Sequence, residues 1–290
     1  MLRPKLSLGT CFLGLFGLVV ALLLLFYFVS PKRNFQVDVN NPQEKAFVVV
    51  IPSYNNKDWY QRNLDSVFNQ KYSNYRVIFI DDASPDGTGV LAKEYIQEKG
   101  QQFRTTLIQN QTRMGALANN YQAIMSCNPQ EIIVEVDGDD WFYCDQILAY
   151  LNKMYSDPDV WVTYGQFVYY PGDVIGWVQE IPETVIQTNT YRQHRWLTTH
   201  LRTFYAGLFH KIKKEDLLLD GEFFSMAGDL AHMFPIIEMA GPHSRFIPDV
   251  LYVYNVATEM NDHIKDAGLQ DKLGMIIRWR VRYWPVDKPW

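Results

Sequence analysis

The chain has 290 residues, 48% of them apolar and 20% charged, with a formal net charge of −5. That composition excludes disorder, collagen and coiled coil as descriptions of the whole. Every acid lies at Asp38 or later, whereas Arg3, Lys5, Lys32 and Arg33 precede it; the remainder is more acidic still, and no nucleic-acid partner is expected. Three cysteines, Cys11, Cys127 and Cys144, do not make a disulfide framework.

From Cys11 to Val29 no residue carries a charge. About 20 apolar residues cross a bilayer core of roughly 30 Å, so the run predicts an uncleaved, single-span transmembrane helix. A cleaved signal peptide has a shorter apolar region ending in small residues; here Phe26-Tyr27-Phe28-Val29 leads directly to Pro31-Lys32-Arg33. Basic residues on the two flanks nearly balance, so the positive-inside rule leaves orientation open. Residues 31–45 are polar and carry Pro31 and Pro42, which reads as a tether.

Beyond the tether, short β-rich runs alternate with amphipathic stretches. Ala46–Pro52 predicts a buried strand, Trp59–Asn69 a helix, and Arg76–Ile80 a second strand ended by Asp81-Asp82. Thr88–Lys99 is helical, Thr105–Gln109 a third strand, and Gly115–Ser126 helical again. Glu131–Val136 is a fourth strand, ended by Asp137-Gly138-Asp139-Asp140. This alternation predicts an α/β fold with a mostly parallel, Rossmann-like sheet flanked by helices. In such sheets ligands bind beyond the carboxyl ends of the strands, which is where both acidic clusters fall. Farther on, Val160–Tyr170 reads as a strand, Pro171–Thr190 as an irregular loop, Met226–Met239 as a helix and Arg245–Tyr254 as a strand pair. The second half reads as an elaboration of the same sheet.

Three acids within four residues repel one another unless a cation or hydrogen-bond donors offset the charge. Hard divalent cations such as Mg²⁺ or Mn²⁺ take oxygen ligands and often share a substrate's phosphates. The ordered set Val50-Ile51-Pro52-Ser53-Tyr54-Asn55-Asn56, then Asp81 to Thr88, then Asn110 to Asn119, then Asp137 to Asp140 resembles the family 2 glycosyltransferases of the GT-A fold. The resemblance implies an inverting, metal-dependent enzyme that uses a nucleotide-diphospho-sugar donor, a UDP-sugar first among them, and a carbohydrate or lipid-linked acceptor.

By that resemblance Pro52 and Tyr54 line the base, Asp82 accepts a hydrogen bond from it, and Arg113 approaches the donor phosphates. Asp137 and Asp139 match the family's acid pair, Asp137 near the ribose or the metal as part of the nucleotide-sugar site and Asp139 a direct metal ligand, with Asp140 a weaker member. Asp229, in Met226-Ala227-Gly228-Asp229, matches the general base, although Gly228 stands where relatives carry Glu. Ala83 likewise replaces a usual glycine. His263 matches a late metal ligand. His200 and Arg202 are candidates for the diphosphate or acceptor, and Trp177, with Trp196, Tyr169 and Tyr170, for a sugar platform; packing in the core is the competing reading for each.

The resulting division is an N-terminal tip and transmembrane anchor at 1–30, a linker at 31–45, and a transferase domain at 46–270. Within it, 46–145 forms the nucleotide-sugar half and 146–270 the acceptor half. Residues 271–290 form a basic, aromatic terminal segment, suited either to an anionic membrane surface or to packing on the domain with its arginines paired to acids. A metal-dependent nucleotidyltransferase is the alternative enzyme class, but Pro52 to Tyr60 offers no glycine for a phosphate loop; a non-catalytic carbohydrate-binding relative is the other. The expected location is a membrane, with the cytoplasmic face of a bacterial inner membrane favoured over a Golgi lumen.

Overall fold

A computed structural model describes residues 43–258 and 266–290. The predicted anchor and His263 lie outside the described residues. Among these, no helix is long and apolar enough to cross a membrane.

Strands β1 (Phe47–Ser53), β2 (Tyr75–Asp81), β3 (Thr105–Gln109) and β4 (Ile132–Glu135) alternate with helices α1 (Tyr60–Phe68), α2 (Thr88–Glu98) and α3 (Ala116–Met125). Every residue of β1 is buried, as a central strand covered on both faces requires. Helix α1 buries Tyr60, Asn63, Leu64 and Val67, the i, i+3, i+4, i+7 stripe of a helix lying on a sheet. These four strands are mutually parallel in the order β3-β2-β1-β4.

The second half continues the same sheet with β5 (Trp141–Phe142), α4 (Ile147–Met154), β6 (Val162–Tyr170), α5 (Glu183–Thr188), β7 (Arg202–Tyr205) and α6 (Ala206–His210). After the short hairpin of β8 (Leu218–Leu219) and β9 (Glu222–Phe223) come α7 (Gly228–Ala240), β10 (Ser244–Asn255) and α8 (Ala267–Arg278). The eight-stranded order is β3-β2-β1-β4-β7-β6-β10-β5. Strand β7 runs antiparallel to both β4 and β6, so the sheet is mixed where the sequence predicts a mostly parallel one. The described residues, 43–258 and 266–290, belong to one compact unit.

Two local expectations need correction. Residues 245–254 form one strand instead of a pair; β10 keeps twelve residues in a single run because register shifts after Ile247 and Val250 bend it. The predicted loop at 171–190 contains α5, and the terminal segment from 271, to which the sequence pattern assigns no secondary structure, is helical up to Arg278. The bend in β10 matters for the site. It returns Tyr252 and Val253 to pair with β5, only a short turn after β4, and so wraps the sheet's far edge around Asp137–Asp140.

Candidate active site

The ends of β1, β2 and β4 meet around Ser53. The Ser53 carbonyl accepts the Asp82 N–H at 2.9 Å, and the Pro52 carbonyl accepts the Gly138 N–H at 3.1 Å. A Cβ on Gly138 would stand 2.6 Å from Ser53 Oγ and 2.7 Å from Asn56 Nδ2, so glycine is required for this close approach of the two loops. From α1, Asn63 Nδ2 donates to the carbonyls of Asp137 at 2.9 Å and Asp140 at 2.7 Å. The acidic turn is therefore clamped from both sides.

Asp82 is buried, and its carboxylate accepts from Asn110 Nδ2, Met114 N and Gly115 N, each at 2.8 Å. Burial alone would raise its pKa, but these hydrogen bonds outweigh it and hold the carboxyl below the usual range. Both oxygens are thus engaged in fixing the 110–115 loop, a job the sequence reading did not assign. That loop brings the Arg113 guanidinium 4.0 Å from the centre of the Tyr54 ring, over the face proposed for the base.

The acids of β4 and α7 converge on one cation. Arg202, on β7, is buried; its Nε donates to Glu135 Oε2 at 2.8 Å, Nη2 lies 3.8 Å from Asp137 Oδ2, and Nη1 lies 3.6 Å from Asp229 Oδ2. Burial opposes its charge, yet these three carboxylates hold the guanidinium protonated well above its ordinary pKa. Glu135 is also buried and faces His232 Nε2 at 2.9 Å, while His232 Nδ1 is 2.7 Å from the Gly228 carbonyl. Despite full desolvation, His232 and Arg202 hold the Glu135 carboxyl down to about 2. Neither Glu135 nor His232 was singled out from sequence; the available signal was an acid flanked by Val134 and Val136 within a β-rich run.

Asp140 accepts the Tyr252 hydroxyl and the Asn255 N–H, both at 2.7 Å. Burial first, then the charges of Asp139 and Asp137, push its carboxyl well above the usual range. His200 stacks on Tyr252 with ring centroids 4.6 Å apart. Its Nε2 lies 3.8 Å from Asp137 Oδ2, and its buried Nδ1 has no hydrogen-bond partner. Burial, reinforced by Arg202, pushes its pKa far below the ordinary value, which leaves a neutral ring with a lone pair for a metal. One ligand atom each from Asp137, Asp140 and His200 lie within 4.8 Å of one another. Two carboxylates and a neutral imidazole fit a divalent cation such as Mn²⁺ or Mg²⁺.

Asp139 is on the same turn, with its carbonyl accepting from Asn255 Nδ2 at 3.1 Å. Of the proposed sugar platform, Tyr170 packs with Trp59 and Trp141, and Trp196 with Phe234. Trp177 is exposed on a return that runs beside β6.

A family model described as Glycosyl transferase family 2 matches residues 48–216. The EpsE protein of Bacillus subtilis is 32% identical over 108 residues, 36% of this chain and 38% of its own length. Glycosyltransferase GlyA of Streptococcus pneumoniae is 28% identical over 112 residues, 38% of this chain and 15% of its own. The matched region thus spans well under half of these relatives. Among solved structures, the mannosyltransferase PcManGT of Pyrobaculum calidifontis, in complex with GDP-Man and Mn²⁺, superposes with a TM-score of 0.58 at 20% identity, covering 93% of this chain and 76% of that one. TarS of S. aureus, residues 1–349 with UDP, gives 0.56 at 18% identity, covering 73% and 60%. At these identities the structures establish the shared fold.

Proposed function

Because the chain belongs to glycosyl transferase family 2, we propose that it moves a sugar from a nucleotide-diphospho-sugar to an acceptor hydroxyl with inversion at the anomeric carbon. Family membership favours glycosyl transfer over the nucleotidyl transfer that the acidic loops alone leave open. The carrying observation is Arg202, whose guanidinium stands between Asp137 on the donor side and Asp229 at the start of α7. One rigid cation thereby sets the spacing between the acids proposed for the two halves of the reaction.

In this reading Pro52, Tyr54 and Asp82 form the base end of the donor site, Asp82 by shaping the 110–115 loop, and Arg113 faces the phosphates. Asp137, with Asp140 and His200 in reach and Asp139 on the same turn, would hold the divalent cation. When bound, that cation supplies the positive charge that offsets the departing diphosphate. Asp229, about one-third exposed, receives the proton of the attacking hydroxyl as the new bond forms to the face opposite the leaving group. Arg202 keeps the two acids apart, and the buried Glu135–His232 pair keeps Arg202 in place. UDP-GlcNAc and GDP-Man occur with the solved relatives, which supports a nucleotide-sugar donor. The uncharged run Cys11–Val29 supports a membrane anchor, and the cytoplasmic face of a bacterial inner membrane is the side proposed for the domain.

The test is turnover of a panel of nucleotide sugars with Mn²⁺, the product anomer being read by NMR. Inverted product from wild type and its loss in Asp229→Asn support the reading. A retained anomer, or equal turnover by Asp229→Asn with the fold intact, overturns it.

A further inference from the structure

A second charged feature stands at the other end of α7. Glu238 follows Asp229 by nine residues in that helix, about 14 Å along its axis. There a cavity of about 230 Å³ is lined by Arg192, Glu238, Arg278, Trp279, Arg280 and Arg282, among others. Four guanidinium groups thus line a cavity with one carboxylate, and that carboxylate is already engaged. Glu238 accepts from Arg192 Nε at 2.6 Å and Nη2 at 2.8 Å, and from the Tyr283 N–H at 2.9 Å.

The other three arginines donate to carbonyl oxygens: Arg278 to those of Arg192 and His194, Arg280 to that of Leu218, and Arg282 to that of Asn189. Carbonyls satisfy N–H groups without cancelling charge. Pairing with surplus acids, one of the expectations for this segment, is not what is found: among the described residues no ion pair joins an acid to these three. The segment is nevertheless strapped to the domain, with Tyr283 Oη donating to Asp216 at 2.7 Å and Val286 N to the Met239 carbonyl at 3.0 Å. From Lys272 to Trp284 the chain has four basic residues and no acid, in a protein whose total charge is negative. The same segment exposes Trp279 (88%), Val281 (81%) and Trp284 (66%).

A cavity rich in arginine matches a phosphate group in charge and geometry. A soluble phosphate leaves the adjacent indoles and valine in water, whereas a bilayer surface covers them. Tryptophan beside arginine is the composition found at the head-group level. We propose that this face docks on a bilayer, with the phosphate of an anionic phospholipid in the arginine cavity and Trp279, Val281 and Trp284 among the head groups. This site is separate from the acidic cluster and does not depend on the reaction proposed for it.

The experiment places the full chain in lipid nanodiscs of phosphatidylcholine alone, or of phosphatidylcholine with phosphatidylglycerol, and follows amide hydrogen exchange over residues 272–284. Exchange slowed several-fold in the phosphatidylglycerol discs only, and restored in Arg280→Gln/Arg282→Gln, is expected. Each arginine near an anionic surface is worth about fivefold in association, so the double variant loses roughly 25-fold in lipid preference. Equal exchange in both discs overturns the proposal. Slowing by inorganic phosphate in phosphatidylcholine discs, matching that of the lipid, also overturns it in favour of a soluble anion. If the double variant unfolds, Trp279→Ser leaves the arginines in place and must still lose part of the lipid-dependent protection; full protection in that variant overturns the head-group placement.

Discussion

The guanidinium of Arg202 stands 3.8 Å from Asp137 Oδ2 and 3.6 Å from Asp229 Oδ2 while its Nε is bonded to the buried Glu135. One side chain therefore serves both proposed halves of the reaction. Replacing it by glutamine leaves Glu135 with His232 as its remaining side-chain partner. Breaking a buried pair in this way costs about 3–5 kcal/mol, visible as a lower thermal midpoint. Arg202→Lys restores a charge but not a planar fork that spans three acids. We expect it to recover part of the stability while turnover stays at least about 100-fold down. Wild-type turnover in the lysine variant would remove the spacing role.

Asp82 makes stability depend on pH. Its carboxyl is held below its ordinary value in the folded chain, so the folded state favours the ionised form. The contribution is present above the unfolded value of about 4 and is lost as pH falls through the lower folded value. Asp82→Asn loses charge-assisted bonds to Met114 and Gly115 and should cost about 2–3 kcal/mol at pH 7. The gap in unfolding midpoint between wild type and variant should narrow below about pH 4. A gap that is constant with pH would show that the hydrogen bonds do not distinguish the ionised carboxylate.

Ala83 occupies the left-handed region at φ +57°, where a Cβ costs about 1–2 kcal/mol. Glycine loses more entropy on folding, which offsets about 0.5–1 kcal/mol of that. Ala83→Gly should therefore raise the thermal midpoint by about 1–4 °C. No rise, with activity intact, would mean that the loop relaxes the strain elsewhere.

Arg113 and a stacked base would compete for the same face of Tyr54, since the guanidinium is already 4.0 Å from the ring centre. A cation on an exposed ring is worth about 0.5–1 kcal/mol. Arg113→Ala should improve uridine affinity by about two- to fivefold, because the ring is freed, while weakening UDP, because a phosphate contact is lost. Calorimetry with both ligands separates the terms. Parallel changes for uridine and UDP would place the base away from Tyr54.

Much of this site was legible where chemistry and strand position coincide. Asp81-Asp82 and Asp137–Asp140 end continuous apolar runs, so their place at the carboxyl edge followed from the parallel-sheet rule. Ala83 was visible as an anomaly, and its positive φ explains why glycine is usual there. Gly138 stands between the acids, but its reason for being glycine, the missing room against Ser53 and Asn56, needs coordinates. Arg202 was one of two candidates, with His200, in a short segment, and nothing local marked it as the centre. Its role comes from β7 entering the sheet backwards between β4 and β6, a tertiary choice that no window of sequence records. Glu135 could have prompted a search for a buried cation, since a lone charge is not tolerated there, though not for which one. The bend in β10 was equally hidden, and it is what brings Tyr252 and Asn255 onto Asp140.

The metal set offers two histidines to a measurement, since the expected His263 lies outside the described residues and His200 lies beside Asp137. The acid pair Asp137 and Asp139, with His263, was the expectation, whereas Asp137, Asp140 and His200 have ligand atoms within 4.8 Å of one another. The neutral His200 ring requires no proton loss to accept a cation, and its stack on Tyr252 fixes its plane. His200→Ala should therefore raise the Mn²⁺ concentration for half-maximal donor turnover by at least about 10-fold, and the effect should be recovered at saturating metal. Mn²⁺ titration of thermal stability without donor gives a second readout, in which the variant loses most of the metal-induced rise. If His200→Ala titrates like wild type in both measurements while His263→Ala is shifted, the cation is held by the later histidine, and the Asp137–Asp140–His200 grouping is a packing arrangement.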